Sequence, residues 1–339
     1  MSENLLEVVN LTKHYAVGGK FFGKKSWVHA LDGVSLSLRP RQTLAVVGES
    51  GCGKTTLARC LVRLVEPTGG SIRIAGRSVT NPTRAERHEI PRLMQIVFQD
   101  PYASLNPRRT IFQTVADPLR LHQDISRGQR RERVASLLAS VGIGPQYMDR
   151  LPHELSGGQR QRIAISRALA VGPQVIVCDE PVSALDVSVQ AQVINLLKRL
   201  QVELGMSYVF ITHDLRLVRT LADTVAVMYL GQIVELAEIA EFKARIRHPY
   251  SQALFSATPL PARAGAKARQ RVVLAGDVPS PIDPPTGCRF HTRCPYVQPV
   301  CRETPPELRA VGTRLVRCHF ADQPDFPPEP PASTASRLQ

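Results

Sequence analysis

The sequence has few aromatic residues and no long hydrophobic run. Phenylalanine, tyrosine and tryptophan together make up 5% of its 339 residues, and tryptophan occurs once. No stretch approaches the roughly 18 consecutive apolar residues that a membrane-spanning helix needs. The first ten residues contain two glutamates and no cationic segment leading into an apolar run, so they do not resemble a secretory signal. We therefore expect a protein that does not span a bilayer by itself and that resides in the cytosol.

Acidic residues are scarce relative to basic ones. There are 29 aspartates and glutamates against 43 lysines and arginines, which gives a formal net charge of +14. Such an excess suits nucleic acid, an anionic membrane face or nucleotide phosphates. The sequence lacks a helix-turn-helix pattern and an aromatic stacking motif, so it does not favour nucleic-acid recognition. The apolar fraction of 43% is that of a folded protein, and the length predicts about two compact units.

Apolar runs and helically spaced apolar residues alternate along much of the chain. Strands that alternate with helices predict an α/β fold with a mainly parallel sheet, and a Gly/Lys-rich loop after the first strand predicts a hairpin. A helix capped by Ser126 and ended by Gly142 predicts a helical insertion, at about residues 100–168. The predicted strands are residues 5–11, 44–47, 175–178 and 208–212, and the predicted helices are residues 55–65, 126–141 and 189–200.

Proline becomes frequent after about residue 258. Prolines cannot lie inside regular elements at the density found near Pro279, Pro281, Pro284 and Pro285. We therefore expect a domain over residues 1–258 and a separate, irregular C-terminal unit over residues 259–322. The last residues, 323–339, are rich in proline and poor in apolar residues, which predicts a disordered tail.

A glycine-rich motif lies between a predicted strand and a predicted helix. Residues 48–55, with the sequence GESGCGKT, match the pattern G-x-x-x-x-G-K-[ST] in the context that the motif requires. The glycines let successive backbone N–H groups surround phosphate oxygens, while Lys54 would reach the β and γ phosphates and Thr55 would coordinate Mg²⁺. In a glycine-rich turn that binds no ligand, the lysine and the threonine would contribute nothing to the structure. The motif therefore predicts a site for a nucleoside triphosphate with Mg²⁺.

Two carboxylates follow the predicted buried strand at residues 175–178. Asp179 would hold Mg²⁺ through water, and Glu180 would polarise the attacking water, a task worth about 10² to 10⁴ in rate. An apolar strand that ends in acids is a weak signal by itself, but the phosphate loop makes it a strong one. The two motifs together predict hydrolysis of the bound nucleotide.

A five-residue motif points to a particular family of ATPases. Residues 155–159 read LSGGQ, which average residue usage makes rare by chance. This is the signature motif of ABC ATPases, and the chain resembles that family over roughly residues 5–258. The other matching positions, in the family's order, are Tyr15 for adenine stacking, Gln99 of the Q-loop, residues 183–186 of the D-loop and the switch histidine His213.

The resemblance implies a P-loop ABC-type nucleotide-binding domain, with a mixed sheet core and a helical subdomain, that dimerises head to tail. ATP bound at Lys54 of one subunit would be capped by the signature of its partner, whose N–H groups at a helix N-terminus attract an anion. The implied catalytic residues are Glu180, His213 and Gln99. The implied Mg²⁺ ligands are Thr55, Gln99 and Asp179. The implied nucleotide-binding residues are Tyr15, Gly48, Ser50, Gly51, Cys52, Gly53, Lys54, Thr55, Thr56, Ser156, Gly157, Gly158 and Gln159.

Two further stretches resemble ATPases of peptide and nickel importers. Residues 99–107 look like their Q-loop, which leads into the surface that receives the permeases, and residues 247–254 resemble the C-terminal extension of oligopeptide and dipeptide importer ATPases. The resemblance implies a peripheral ATPase of a peptide importer at the cytoplasmic face of the inner membrane. Its implied partners are a second ATPase subunit, two permease subunits and, indirectly, an extracytoplasmic solute-binding protein. The second ATPase subunit would form a homodimer or, as the resemblance favours, a heterodimer with this chain.

Three alternatives remain at this point. The chain could be an importer cassette for nickel or another small solute, or a nucleic-acid- or ribosome-associated ABC ATPase. Members of the second class generally have two cassettes in one chain or a long coiled-coil insertion, and this sequence has neither. An exporter cassette is the third alternative, and the C-terminal resemblance argues against it. We expect no nucleic-acid partner.

Four of the seven cysteines lie in the last 52 residues, at Cys288, Cys294, Cys301 and Cys318. Disulfides do not suit a reducing cytosol, and the gaps exceed the spacing of about two to four residues common in zinc ribbons. Four thiolates in a loop-rich segment could hold a [4Fe–4S] cluster, and importer ATPases with this extension are similar. A cluster, a zinc ion and unligated thiols all stay open. The other cysteines, Cys52, Cys60 and Cys178, are predicted to act as small apolar core residues.

Overall fold

The computed structural model of the chain describes residues 4–18, 26–257, 272 and 274–328. Its β-strands are β1 (Leu6–Val17), β2 (Ser26–Leu38), β3 (Thr43–Val47), β4 (Gly69–Ile74), β5 (Arg77–Ser78), β6 (Met94–Val97), β7 (Val175–Asp179), β8 (Ser207–Ile211), β9 (Thr224–Tyr229), β10 (Gln232–Glu238), β11 (Arg309–Val311) and β12 (Arg314–Val316). Its α-helices are α1 (Lys54–Leu61), α2 (Arg84–Leu93), α3 (Pro101–Ser104), α4 (Ile111–His122), α5 (Arg127–Ser140), α6 (Gly157–Leu169), α7 (Val187–Leu204), α8 (Leu215–Leu221), α9 (Ile239–Ala244), α10 (Pro249–Ser256) and α11 (Pro299–Glu303). None of the helices in the described ranges has both the length and the apolar character that crossing a membrane requires.

The described residues form two compact units, each assembled from separate stretches of the chain. The first unit consists of the described residues within 1–11, 35–45 and 55–212. The second unit consists of the described residues within 12–34, 46–54 and 213–339. The alternating helices and strands predicted between residues 55 and 212 therefore all belong to the first unit.

Parallel strands form the centre of the first unit. β6, β7 and β8 pair in parallel, with Met94 opposite Val175 and Val175 opposite Ser207, and β3 is next to β8 in the strand order. All residues of β7 and β8 are buried, which explains why their sequences are continuous apolar runs rather than alternating ones. The parallel sheet and these strands confirm the prediction from the sequence.

A second sheet has the strand order β2-β1-β4-β5. β1 and β2 are neighbours in it, as the predicted hairpin requires, although β1 continues to Val17 instead of ending at Leu11. The Gly/Lys-rich loop predicted between these strands falls on residues 19–25, outside the described residues.

The helices α3 to α6 form the predicted helical insertion. α4 packs against α5, and α6 packs against all three of the others. α5 begins after Ser126, whose Oγ accepts a hydrogen bond of 3.3 Å from the N–H of Gln129, and Gln129 Oε1 accepts one of 2.9 Å from the N–H of Ser126. The helix ends just before Gly142, which has a φ of +73°. The insertion thus lies between β6 and β7, as predicted.

α1 is shorter than the sequence predicts. It ends at Leu61, whereas the apolar spacing continues to Leu64 and led to a predicted end at residue 65. Arg63 adopts a left-handed φ of +61°, and the N–H of Leu64 donates to the carbonyl of Arg59 at 2.9 Å, which closes the helix end. Periodicity could not reveal this stop, because the residue in the left-handed conformation is an arginine rather than a glycine.

The second unit contains antiparallel strands in the order β11-β12-β10-β9. Glu235 of β10 pairs with Val316 of β12, so the C-terminal segment adds a hairpin to a strand about 80 residues earlier in the sequence. Pro279, Pro281, Pro284 and Pro285 lie outside helices and strands, as predicted. The domain boundary predicted near residue 258 falls on residues that lie outside the described ranges.

The described chain continues beyond the predicted start of the disordered tail at residue 323. Phe326 is 8% exposed and belongs to a small apolar cluster with Val316, Cys318 and Ala321. Arg247 also donates to the carbonyl oxygens of Gln323 and Pro324, at 2.9 and 3.3 Å. Residues 323–328 are therefore packed, because one buried phenylalanine anchors a stretch whose composition otherwise indicates disorder. Residues 329–339 lie outside the described part of the chain.

Candidate active site

The phosphate loop belongs to the second unit as far as Lys54. The Lys54 side chain is buried, and its Nζ donates to the carbonyl oxygens of Gly48, at 2.8 Å, and Glu49, at 2.9 Å. A buried ammonium needs such partners, because an isolated buried charge is costly. The carbonyls of the loop therefore hold the Lys54 charge at the place where the sequence predicts a phosphate.

Two glycines of the motif are required by the close approach of other backbone segments. Gly48 has a φ of +157°, and a Cβ there would lie 2.2 Å from the carbonyl oxygen of Met228. Gly53 has a φ of +107°, and a Cβ there would lie 2.2 Å from the carbonyl oxygen of Ala30. Because the obstructing atoms belong to the backbone, a side chain at either position would distort the loop.

Glu49, the second residue of the motif, is tied down by two residues far away in sequence. Its carboxylate accepts two hydrogen bonds from the Arg293 guanidinium, at 2.7 and 3.1 Å. Its N–H donates to the Tyr250 hydroxyl at 2.9 Å. The hydrogen bonds to Glu49 raise the pKa of Arg293, and burial raises the pKa of Tyr250. These two partners are not among the residues predicted from the sequence, because no local pattern indicates contacts over 244 and 201 positions.

Thr55 and Asp179 come together in the first unit. The Thr55 hydroxyl lies 3.4 Å from Oδ1 of Asp179, which is buried at the end of β7. A hydroxyl and a carboxylate are hard oxygen donors of the kind that Mg²⁺ takes. The residues present therefore fit the magnesium ion predicted from the sequence.

Glu180 has an unusual backbone and a defined side-chain partner. Its φ of +48° is left-handed, a conformation that costs a non-glycine residue of order 1 kcal/mol and that is often found at functional sites. Its N–H donates to the carbonyl of Ile211 at 3.0 Å, and its Oε2 accepts a hydrogen bond of 3.1 Å from Nε2 of Gln99. The structure thus brings together the two first-unit residues, Gln99 and Glu180, that the resemblance implies to be catalytic.

The signature motif lies at the N-terminus of α6, as predicted. The Ser156 Oγ accepts a hydrogen bond of 3.3 Å from the N–H of Gln159, and Gln159 Oε1 accepts one of 3.0 Å from the N–H of Ser156. Ser156 and Gly157 are exposed, whereas Gly158 is buried and a Cβ there would lie 2.5 Å from Cγ1 of Val189. The first residues of the motif therefore form an exposed helix N-terminus, while the buried Gly158 packs tightly against α7.

The Q-loop leads directly into a short exposed helix. Asp100 caps α3 by accepting a hydrogen bond of 2.7 Å from the N–H of Tyr102. Tyr102 is exposed, and the guanidinium of Arg160 stacks on its ring at 4.2 Å from the centroid. Arg160 follows the signature motif immediately, so the Q-loop helix and the signature helix are in direct contact.

The remaining predicted nucleotide-site residues are spread over both units. In the first unit, the D-loop position Ser183 donates through its Oγ to the carbonyl of Glu180 at 3.1 Å, and Asp186 precedes α7. In the second unit, His213 is exposed and directly precedes the helix cap Asp214, and Tyr15 is half-buried on β1 with Lys13 Nζ 4.8 Å from its ring centroid.

The four C-terminal cysteines line one small cavity in the second unit, with a volume of about 20 Å³. Cys288 and Cys301 are also joined by a backbone hydrogen bond of 2.8 Å. Burial raises the pKa of Cys294 to about 11 and that of Cys318 to about 12. Within the described residues, no three of these sulfur atoms lie within 4.8 Å of one another. The cysteines predicted to share a ligand therefore line the same cavity.

The other three cysteines, Cys52, Cys60 and Cys178, are buried, as predicted for small apolar residues. Burial raises the pKa of Cys52 and of Cys178, so both thiols stay protonated.

Comparison with solved structures assigns the fold. The ATP-binding cassette MJ0796, solved as a dimer in a post-hydrolysis state with ADP and phosphate, is 30% identical and matches 69% of this chain and 98% of its own, with a TM-score of 0.61. The CbiO1 protein of Clostridium perfringens, part of the CbiONQ transporter complex, is 28% identical and matches 72% of this chain and 92% of its own, with a TM-score of 0.63. A family model described as "ABC transporter" also matches residues 31–183. The fold and the site define an ABC-type ATPase, an enzyme that hydrolyses ATP.

A second family model and full-length relatives narrow the assignment. The model described as "Oligopeptide/dipeptide transporter, C-terminal region" matches residues 234–301. The oligopeptide transport ATP-binding protein AppF of Bacillus subtilis is 48% identical over 94% of this chain and 98% of its own length. The di/tripeptide transport ATP-binding protein DppF of Pseudomonas aeruginosa is 48% identical over 95% and 99%. The chain belongs to the family of oligopeptide and dipeptide ABC transporter ATP-binding proteins, as the resemblance implied.

Proposed function

We propose that this chain hydrolyses ATP to power the import of dipeptides or oligopeptides through separate permease subunits. The observation that carries the proposal is the extent of the similarity to peptide transport ATP-binding proteins, which covers 94% and 95% of this chain in the two relatives above. That similarity includes the C-terminal region in addition to the cassette that ABC ATPases share. Importers of nickel or other small solutes therefore become the less favoured alternative.

Each part of the site has a role in binding or hydrolysing ATP. The N–H groups of the phosphate loop and the Lys54 ammonium bind the phosphates, while Thr55, Asp179 and Gln99 hold Mg²⁺. Bound Mg²⁺ supplies positive charge that stabilises the transferred phosphoryl group. Glu180 orients the attacking water and accepts its proton, and the Gln99 amide supports it by fixing the carboxylate. The remaining loop residues that contact the nucleotide are Gly48, Ser50, Gly51, Cys52, Gly53 and Thr56.

Partner subunits complete the proposed cycle. The exposed end of α6, from Ser156 to Gln159, caps the ATP of a second cassette, while His213 contacts the γ-phosphate and Tyr15 stacks on the adenine. The second cassette is a different ATPase chain, and two permeases contact the exposed surface around Tyr102 at the cytoplasmic face of the membrane. An extracytoplasmic binding protein delivers the peptide to the permeases.

The test is to purify the tagged chain from solubilised membranes of its host and to identify the proteins that accompany it. We expect two membrane-spanning permeases and a second ATPase, and we expect a peptide-loaded binding protein to stimulate ATP hydrolysis by the complex. A Lys54→Ala chain should assemble equally but should not bind ATP. Stimulation by nickel instead of peptide, or salt-dependent DNA binding with DNA-stimulated hydrolysis, would contradict the proposal.

The finer proposal for the C-terminal region is a [4Fe–4S] cluster held by Cys288, Cys294, Cys301 and Cys318. A tetrahedral zinc site with Zn–S distances of about 2.3 Å brings its sulfur atoms to about 3.8 Å from one another. Four thiols that line one cavity are also the donor set that a [4Fe–4S] cluster uses. A bound cluster would cross-link loops that contain few regular elements and would stabilise the cysteines as thiolates despite their burial.

Iron and sulfide analysis after anaerobic purification tests the cluster. We expect about four iron and four sulfide per chain and a brown colour that is lost in a Cys294→Ser variant, since each thiolate holds one iron. A Cys60→Ala variant serves as the control, because Cys60 is buried in α1 away from the cavity lining. One zinc per chain, or metal-free protein from a host competent in cluster assembly, would contradict this assignment.

A further inference from the structure

The cysteine-bearing segment reaches back to the phosphate loop through an arginine. Arg293 is adjacent to Cys294 in sequence, and its guanidinium forms the two hydrogen bonds to the Glu49 carboxylate. The pair is well shielded, with the Arg293 side chain 8% exposed and the Glu49 side chain 27% exposed. The guanidinium also lies 6.0 Å from the ring centroid of Tyr229. A planar fork against a carboxylate fixes the direction as well as the distance of the contact.

Glu49 controls the part of the loop that holds Lys54. The Glu49 carbonyl oxygen accepts a hydrogen bond of 2.9 Å from the Lys54 ammonium, and the Glu49 N–H donates one to the Tyr250 hydroxyl. The same carbonyl oxygen also accepts a hydrogen bond of 3.4 Å from the N–H of Cys52. Every polar group of Glu49 therefore contributes to the shape of the loop, and Arg293 holds the one group that reaches out of the loop.

We infer that Arg293 is a positioning residue for ATP binding, which it promotes by holding Glu49 and with it the phosphate loop. This inference rests on the proposed function of that loop. The C-terminal segment thus affects nucleotide affinity through Arg293, separately from any ligand that its cysteines bind. Arg293 acts through Glu49, to which its Nη1 and Nη2 donate, and not by contacting a phosphate.

The same segment provides a matched control pair. Arg289 forms an ion pair with Asp32 and also donates to the carbonyl of Leu230, and its side chain is 11% exposed beside an Asp32 that is 28% exposed. The two arginine pairs thus have nearly the same chemistry and burial. Only the Arg293 pair includes a residue of the phosphate loop, so a general loss of stability would affect both variants, whereas a loss of loop positioning would affect one.

The experiment measures the Kd for Mg-ATP by equilibrium titration of the full-length chain in a Glu180→Gln background. We expect Arg293→Ala and Glu49→Gln each to raise the Kd about tenfold, within the range of interaction energies between contacting residues. The double variant should bind no more weakly than either single variant, because both remove the same contact. Arg293→Lys should recover part of the affinity, and Arg289→Ala should leave the Kd within about twofold.

Two results would overturn the inference. One is an unchanged Kd in Arg293→Ala, and the other is an equal increase in Arg289→Ala. Thermal unfolding without nucleotide accompanies each titration, so that the loss of affinity can be compared with the loss of stability. Lys54→Ala separates this inference from the proposed function. If Lys54→Ala binds ATP normally, the proposed site is wrong, whereas if it loses binding while Arg293→Ala does not, only the inference fails.

Discussion

At the scale of single residues, the contact between Gln99 and Glu180 is the most informative feature of the site. The two residues are 81 positions apart in sequence, and the amide of one donates to the carboxylate of the other at 3.1 Å. Glu180 is also held in a left-handed backbone conformation by its N–H bond to Ile211. Strained residues cluster at functional sites, and a carboxylate oriented by a partner suits the proposed role of general base.

Replacing Glu180 by glutamine should separate binding from hydrolysis. The amide keeps the shape of the side chain but cannot accept a proton, so we expect the rate of phosphate release to fall by about 10²- to 10⁴-fold. The Kd for Mg-ATP should stay within a few-fold, because the phosphate loop is intact. A Glu132→Gln variant on the exposed surface of α5 is the control and should hydrolyse normally. Hydrolysis at the normal rate in Glu180→Gln would remove this residue from its proposed role.

Residue identities in the motifs could be predicted from the sequence, but their partners could not. Spacing and residue type identified Lys54, Thr55 and Asp179, because the motif and the acidic strand end have fixed local patterns. The bond between Glu49 and Arg293 spans 244 positions, and no local pattern encodes which arginine among many meets that glutamate. Long-range pairs of this kind depend on the tertiary fold.

At the scale of elements, the signature helix α6 combines two tasks at one end. Its first residues form a capping box, in which Ser156 and Gln159 satisfy each other's N–H groups. The same N-terminus is exposed and carries the positive end of the helix dipole, which suits an anion. The capping role and the proposed ATP-capping role therefore need separate tests.

Two serine caps on neighbouring helices allow that separation. Ser126 and Gln129 on α5 form a capping box with nearly the same distances as Ser156 and Gln159 on α6. We expect Ser156→Ala and Ser126→Ala each to lower the free energy of unfolding by about 1 kcal/mol, measured by urea denaturation. Only Ser156→Ala should also reduce ATP hydrolysis by the assembled transporter. Equal hydrolysis in both variants would limit Ser156 to a structural role.

Strand β10 carries a fully buried carboxyl group in the second unit. Glu235 accepts hydrogen bonds from the N–H groups of Arg247 and His248, at 2.8 and 2.9 Å. Burial nevertheless raises its pKa from 4.5 to about 7. Burial also lowers the pKa of His248 from 6.5 to about 3, so this imidazole is neutral at physiological pH.

The raised pKa of Glu235 predicts a pH-dependent effect of its replacement. The folded state binds the Glu235 proton more tightly than the unfolded state, so this contribution to stability is complete below about pH 4.5 and is lost as the pH rises to about 7. Glutamine stays neutral but accepts only one of the two backbone hydrogen bonds. We therefore expect Glu235→Gln to lower Tm at pH 5 and to lower it less, or to raise it, at pH 8.

Thermal unfolding of both chains across this pH range measures the difference. The wild-type chain loses about 3 kcal/mol from Glu235 over the interval, as an order of magnitude, while the variant loses none. The opposing contribution of His248 is common to both chains and cancels in the difference. A Tm difference that is the same at pH 5 and pH 8 would show that Glu235 is ionised normally in the folded protein.

At the scale of the whole molecule, the sequence predicted the parallel strands and the helical insertion more completely than the C-terminal segment. β7 and β8 are continuous apolar runs that local composition reveals directly. β11 and β12 have only three residues each, and β12 is identified as a strand only by its pairing with β10. Short strands defined by partners distant in sequence carry too little local signal to be predicted.

The proposed cycle finally requires that ATP joins two cassettes, since the phosphate loop and the signature motif of a site come from different subunits. A Glu180→Gln chain mixed with its companion ATPase should therefore elute with Mg-ATP at about the combined mass of the two chains, and without nucleotide as separate chains, 37.4 kDa for this one. Adding Lys54→Ala should weaken the shift by removing ATP from the site of this chain, and adding Ser156→Ala should weaken it by altering the surface that caps the ATP of the companion. Light scattering of the eluted peaks gives the masses. If the hydrolysis-deficient chain stays monomeric with saturating Mg-ATP and its companion, ATP does not act as the link between cassettes and the mechanism proposed here is wrong.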